Sequence, residues 1–233
     1  MLLIDLVYVI EQPGLSFCIE EGNDMLRLCI GTALRSCRTQ RIIVARILLV
    51  HKGNIMKFTE GAFRQHGYDV AKEEFAAQTV VEAEAASAPG KLVIKDRIAD
   101  AMFQEALIRP EQYSVLATPN LNGDYISDAL AAQVGGLGLA PGVNMSEKLA
   151  FFEATHGTAP SLAGKDRANP GSLILSGALM LEHIGWKEAA TRIYKAVNTA
   201  IARRAVTEDL AAQMTDARTV GCTEFGEIIT KLL

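Results

Sequence analysis

Residues 42–50 read IIVARILLV, and His51-Lys52-Gly53-Asn54 breaks the run at once. An apolar, β-branched stretch of this length, bounded by turn formers, predicts a parallel strand buried on both faces. Beyond the break, Phe58, Ala62, Phe63 and Tyr68 fall near helical spacing, which predicts a helix over 57–75. The pattern continues downstream. A short strand is expected at 92–94, a helix at 96–108 stopped by Arg109-Pro110, a strand at 113–117 and a helix at 124–134 ending on Gly135-Gly136. The stretches 79–90 and 135–143 read as loops, and 119–123 as a turn. A strand is expected near 150–153, with helices at 172–184, 187–203, 207–214 and 224–232. Strands interleaved with helices indicate an α/β fold.

The bulk composition agrees with that class. The chain has 233 residues, 49% of them hydrophobic and 21% charged, which is too apolar for a disordered protein. Lys and Arg number 23 against 27 Asp and Glu, a net charge of −4, so no basic face is expected for nucleic acid or an anionic membrane. Cys18, Cys29, Cys37 and Cys222 have no C-x-x-C spacing, which argues against a zinc site and for free thiols in a reducing, cytoplasmic compartment. The opening MLLIDLVYVI is only ten residues long, carries Asp5 and lacks a basic leader; a strand is expected there rather than a signal peptide or a membrane span.

Three groups of residues could carry chemistry. Asp124 and Asp128 lie four apart on one helix face, about 5–6 Å apart at Cβ. Such a pair suits Mg2+ or Mn2+, although acidic residues in an opening helical turn also serve as caps and dipole partners. Glu153-Ala-Thr-His-Gly-Thr-Ala-Pro160, followed by Asn169-Pro170-Gly171, is a loop rich in backbone donors. It could wrap an adenosine, with His156 stacking and Asn169 reading polar edges, or be a plain turn-rich connection. It is not the G-x-G-x-x-G fingerprint. Lys52 follows a buried strand, where open α/β sheets place ligands, and could move a proton there or simply be solvated.

These segments resemble one family, the bacterial isocitrate dehydrogenases of the β-decarboxylating dehydrogenase superfamily. The likeness runs through VHKGNIMKFTEGAF (50–63), IKDRIADAMFQEALIRPEQY (94–113), NLNGDYISDALAAQVGGLGLAPG (120–142), FEATHGTAPSLAGKDRANPGSLILSGALML (152–181) and GCTEFGEII (221–229). It implies an isocitrate/isopropylmalate dehydrogenase-like mixed sheet with flanking helices, incomplete at its N-terminal side. It also implies three parts: a poorly matching segment 1–48, a small-domain portion 49–134 and a large-domain portion 135–233.

The implied reaction is NAD(P)-dependent oxidative decarboxylation of isocitrate to 2-oxoglutarate and CO2, with Mg2+ or Mn2+, in the tricarboxylic acid cycle. By resemblance Asp124 and Asp128 are metal ligands, with Asp100 contributed across a homodimer interface. Lys52 is the proton-transfer lysine, reaching into the partner's site, with Asn54 beside it. His156, Gly157, Thr158, Ala159, Pro160, Ser161 and Leu162 form the adenosine loop, and Asn169 meets the adenine. The positions that grip the 2′-phosphate in NADP-specific members fall on Ser161, Leu162, Glu208 and Ala212. None offers a cation or phenol and Glu208 would repel a phosphate, so NAD is expected over NADP. The family's substrate-binding serine and arginines have no counterpart in residues 1–48, so this chain alone is expected to be inactive. A non-catalytic subunit of the same fold, or a 3-isopropylmalate or homoisocitrate dehydrogenase, is the alternative.

Overall fold

The computed structural model of the protein describes residues 6–7, 16–19, 46–145 and 149–233. Most of 1–48, including the expected strand at 1–10 apart from Leu6–Val7, lies outside them. The chain divides into two compact units, Met1–Leu130 and Ala131–Leu233.

The first unit contains strands β1 (Leu6–Val7), β2 (Ser16–Ile19), β3 (Arg46–His51), β4 (Thr79–Val81), β5 (Leu92–Ile98) and β6 (Val115–Thr118). Helices α1 (Glu60–Glu74), α2 (Ala99–Ile108) and α3 (Asn120–Gln133) alternate with them. Five strands form a parallel sheet in the order β2-β6-β3-β5-β4. The apolar run is its centre: Ile47, Leu48, Leu49 and Val50 have no exposed surface, and each such side chain contributes about 1.5–3 kcal/mol by leaving water. Gly67 lets α1 lie close on this layer, because a Cβ there would stand 2.5 Å from Leu49 Cδ1.

In the second unit β7 (Pro141–Met145) and β8 (Ala150–Ala154) pair antiparallel, with Val143 opposite Phe152. Helices α4 (Gly171–His183) and α5 (Lys187–Ala202) follow, then β9 (Ala205–Val206), α6 (Glu208–Ala211), β10 (Arg218–Thr219) and α7 (Cys222–Thr230). Phe225, Val206, Leu210 and Val197 centre a buried cluster between α5, α6 and α7. Ser172 and Ser176, one turn apart on α4, tie the β7–β8 hairpin down. Ser176 Oγ accepts from the Gly142 N–H at 3.0 Å and donates to the Glu153 carbonyl at 2.7 Å, and Ser172 Oγ donates to the Ala140 carbonyl.

The α/β class and the mixed strand directions stand as expected. Several segments differ. Residues 96–98, expected to open a helix, continue β5, and α2 begins at Ala99. The loop expected at 79–90 contains β4 and a 3-10 turn at Glu82–Ser87, since three residues suffice to pair with Leu92–Ile94. The loop at 135–143 ends in β7, which tolerates Pro141 as its first residue and satisfies the Gly142 N–H through Ser176 Oγ. Helix α3 begins at Asn120 rather than 124, so the expected turn at 119–123 is its first turn. Among the described residues no helix is long and apolar enough to cross a membrane.

Candidate functional site

Strand β3 lies between β5 and β6, and the three run parallel, so their C-terminal ends emerge side by side. That edge is where open α/β sheets bind ligands. Lys52 follows β3, Asp100 stands in the first turn of α2 after β5, and Asp124 and Asp128 stand on α3 after β6.

Two carboxylates fix the Lys52 turn. Glu60 Oε2 accepts the Lys52 backbone N–H and also the Asn122 amide, at 2.7 Å for the latter, so it ties the turn to the start of α3. On the other side His51 Nδ1 accepts the Gly53 N–H at 2.9 Å, which leaves the proton on Nε2, 3.1 Å from Asp96 Oδ2. Asp96 Oδ1 accepts from the Tyr68 hydroxyl at 2.6 Å and pairs with Arg64 Nε at 3.2 Å. Burial pushes Asp96 up, but the hydrogen bonds from Tyr68, His51 and Arg64 outweigh it and hold the carboxyl below its ordinary value. The Lys52 ammonium donates to Asp100 Oδ1 at 2.6 Å, and this bond holds Asp100 below the usual carboxylate range. Asn54 is exposed in the turn beyond.

Asp124 and Asp128 sit in the second and third turns of α3, not in its opening turn. The capping alternative therefore fails: these carboxylates are past the four orphan N–H groups of the helix start. Among the described residues neither accepts a hydrogen bond or an ion pair. Desolvation raises both above the ordinary carboxylate range, and the charge of Asp124 raises Asp128 further. Two adjacent oxygen-donor acids with no cation to balance them fit a divalent ion. Asp100 does not join them within one chain, since among the described residues no three His, Cys, Asp or Glu side chains converge.

The second unit holds the loop expected to meet an adenosine. Thr155 anchors it, donating through Oγ1 to the Ala140 carbonyl at 2.8 Å and through N–H to Ser172 Oγ at 3.2 Å. Beyond it the chain opens to solvent from Gly157 to Ser161, with a 3-10 turn at Pro160–Leu162. Ala159 takes a left-handed φ of +41°, the kind of stored backbone strain that clusters at ligand sites. His156 Nδ1 bonds the Gly157 carbonyl at 2.9 Å, leaving its ring partly accessible.

Asn169 is buried, with Nδ2 donating to Asp209 Oδ2 at 2.9 Å and Oδ1 accepting the Gly171 N–H at 2.8 Å, so one N–H and one lone pair of its amide are engaged within the fold. The Glu208 carboxylate pairs with Arg167, at 2.6 Å from Nε and 2.5 Å from Nη2, so it does not present an unbalanced negative charge. Ser161 and Ala212 are exposed and Leu162 is half-buried.

Glu60, Asn122, Asp96 and Asp209 do positioning work that no spacing in the sequence announced, because each acts on a partner far along the chain.

A profile of the isocitrate/isopropylmalate dehydrogenase family matches residues 21–229. Isocitrate dehydrogenase [NADP] of Pseudomonas aeruginosa (strain UCBPP-PA14) is 55% identical over 186 residues, covering 78% of this chain and 44% of that protein. The enzyme of the same name from Staphylococcus aureus (strain MSSA476) is 50% identical over 241 residues, covering 94% and 56%. Among solved structures, the isocitrate dehydrogenase of Methylococcus capsulatus superposes with a TM-score of 0.79 at 31% identity, covering 99% of this chain and 73% of that one. The chain spans about half the length of the curated relatives it matches. Both curated relatives carry NADP in their names, which gives no support to the expected preference for NAD.

Proposed function

The chain belongs to the isocitrate/isopropylmalate dehydrogenase family, and from that premise we propose that it is an isocitrate dehydrogenase polypeptide. The reaction is oxidation of the isocitrate 2-hydroxyl by hydride transfer to a nicotinamide, with loss of the β-carboxylate as CO2, in the cytoplasm and within the tricarboxylic acid cycle. The observation that carries this reading is the adjacent pair Asp124 and Asp128 on α3, both desolvated and with no balancing cation among the described residues.

Asp124 and Asp128 would hold a divalent cation, which when bound supplies Lewis-acid stabilisation of negative charge on the substrate oxygens. Lys52 holds and moves a proton at Nζ, kept oriented by Asp100 until substrate replaces that contact. Histidine 156 and the open backbone from Gly157 to Leu162 bind the adenosine half of the cofactor. NADP is the cofactor this reading favours: Arg167 places a cation against Glu208 where a 2′-phosphate would otherwise meet only acid.

Homodimerisation completes the site, with Lys52 and Asp100 reaching the partner's Asp124 and Asp128. In support, the elements that carry these two residues also expose apolar side chains. Phe58 is 95% exposed, and Phe103, Leu107 and Ile108 line α2. The isolated chain is proposed to bind metal but to turn over little, because isocitrate needs more cationic partners than these elements offer.

The test is Mn2+ titration of the purified chain followed by electron paramagnetic resonance, alongside isocitrate-dependent reduction of NADP and NAD. Stoichiometric Mn2+ binding that disappears in Asp124→Asn/Asp128→Asn supports the metal assignment, and unchanged binding refutes it. Turnover by the isolated chain overturns its proposed inactivity, and the faster cofactor tests the role of Arg167.

A further inference from the structure

The first unit has a second concave surface, none of whose lining residues belongs to the site above. Side chains alternate across a strand, so Val93, Lys95 and Arg97 of β5 point to one side. Arg46 stands opposite Val93 in the register of β3 and β5. The segment 82–91 borders this face and leaves an open cleft of about 530 Å³, lined by Arg46, Lys91, Lys95 and Arg97 against a single carboxylate, Glu82.

The cations are poorly balanced. Arg46 Nη1 donates to the Gln112 carbonyl at 3.2 Å and Lys91 Nζ to the Ala76 carbonyl at 2.9 Å, both neutral acceptors. Arg97 pairs with two carboxylates, Glu82 at 3.3 Å and Glu105 at 3.5 Å. Lys95 is the unusual member. Its side chain is 5% exposed, its ammonium lies 4.7 Å over the Tyr113 ring, and the nearest carboxylate oxygen, on Glu82, is 3.7 Å away. Among the described residues that ammonium donates no hydrogen bond. A buried cation whose ion-pair partner stands 3.7 Å off and is shared with Arg97 is costly, and here it faces an open cavity with two further guanidinium groups on the same walls. Burial first, and then the charge of Arg97, lower the affinity of Lys95 for its proton, and the charges of Glu82 and Glu105 only partly offset them.

We propose that this cavity is a binding site for a small, multiply charged oxyanion, with the Lys95 ammonium at its floor and the Arg46 and Arg97 guanidinium groups on its walls. Phosphoryl groups and paired carboxylates share the required chemistry: several acceptor oxygens converging on fork-shaped donors. The volume falls within the range of ligand pockets and exceeds a lone phosphate, so the ligand carries a further organic or phosphoryl part. The inference does not depend on the reaction proposed above.

The experiment is thermal unfolding of the full 233-residue chain in metal-free buffer at constant ionic strength, titrated with pyrophosphate in one arm and malonate in the other. A saturable rise in Tm is expected in at least one arm, and the stronger arm names the ligand class. Lys95→Met keeps the side chain's length and apolar packing on Tyr113 while removing the charge, and it should abolish the rise. Arg46→Gln should weaken Kd about tenfold or more, the loss of one charge-assisted contact. No rise in either arm overturns the proposal, as does a rise that survives in Lys95→Met. Should Lys95→Met fail to fold, Arg46→Gln at the half-buried rim decides, and an unchanged Kd there overturns it.

Discussion

Replacing Asp96 by Ala removes one acceptor from three donors at once. The carboxylate is 27% exposed and takes the Tyr68 hydroxyl, the His51 Nε2–H and the Arg64 Nε–H. The Arg64 contact is half in solvent and contributes little, about 0–1 kcal/mol. The other two are bonds to a charged acceptor, worth about 1.5–3 kcal/mol each at full strength. Taking the lower end for partly buried groups, Asp96→Ala should cost about 3 kcal/mol. For a chain of this size that is a fall in Tm of about 6–12 °C. Asp96→Asn should cost about half as much. Its oxygen serves one donor, and the Tyr68 hydroxyl can turn to accept from its amide, whereas His51 Nε2–H cannot accept.

Far-UV circular dichroism melts of the three proteins test the size of the effect, and their pH dependence tests its cause. Asp96 is held below its ordinary value of 3.8 in the fold, so its stabilisation is present above that pH and is lost as pH falls through the lower folded value. The gap between wild type and Asp96→Ala should therefore narrow on acidification below about 3.8. A fall in Tm of under about 1 °C, within the scatter of an ordinary surface change, would refute the reasoning. So would a gap that stays constant to low pH.

Two further outcomes follow from packing and from the buried network of the second unit. Gly67→Ala should destabilise by about 1–3 kcal/mol in urea titration, because the added methyl meets the fully buried Leu49 and overpacking outweighs the gain in helix propensity. Asp209→Ala strands the Asn169 amide and the Thr207 hydroxyl, which donates to Asp209 at 2.6 Å. It should cost about 1–3 kcal/mol by the same assay and weaken dinucleotide binding in calorimetry, although Asp209 touches no part of the loop from His156 to Leu162.

The sheet was readable where one physical signal dominated. An apolar run such as 47–50 has few ways to be buried, and alternation with helical spacing then forces α/β packing. The reading slipped where local signals and tertiary pairing disagreed. Pro119-Asn-Leu-Asn-Gly123 is rich in turn formers, yet proline suits the entry to a helix, and α3 starts there. Pro141 and Gly142 argue against a strand, yet Pro141 is the first residue of β7 and Ser176 Oγ satisfies the Gly142 N–H. In the site, the Asp124–Asp128 spacing was visible because it is local. The residues that organise it were not: Glu60 and Asn122 are 62 positions apart, His51 and Asp96 45, and Asn169 and Asp209 40. No periodicity spans such distances: the parallel register of β3, β5 and β6 brings the first two pairs together, and packing within the second unit the third.

The shortness of β4 has a consequence for how the protein behaves in a crowd. It pairs with Leu92–Ile94 and stops, whereas β3 accompanies β5 on its other side through Ile98. The later half of β5 thus presents an edge that no described strand covers, and a bare strand edge is a template on which another chain can add itself. That stretch reads Lys95-Asp96-Arg97, three successive charges in what is otherwise a buried apolar strand. A foreign strand docking there would have to desolvate what remains in water of Asp96 and Arg97, Lys95 being buried already. The same charges that disrupt the hydrophobic pattern therefore act as a guard against self-association through the sheet, and an apolar substitution among them would remove that guard even where it leaves the fold more stable.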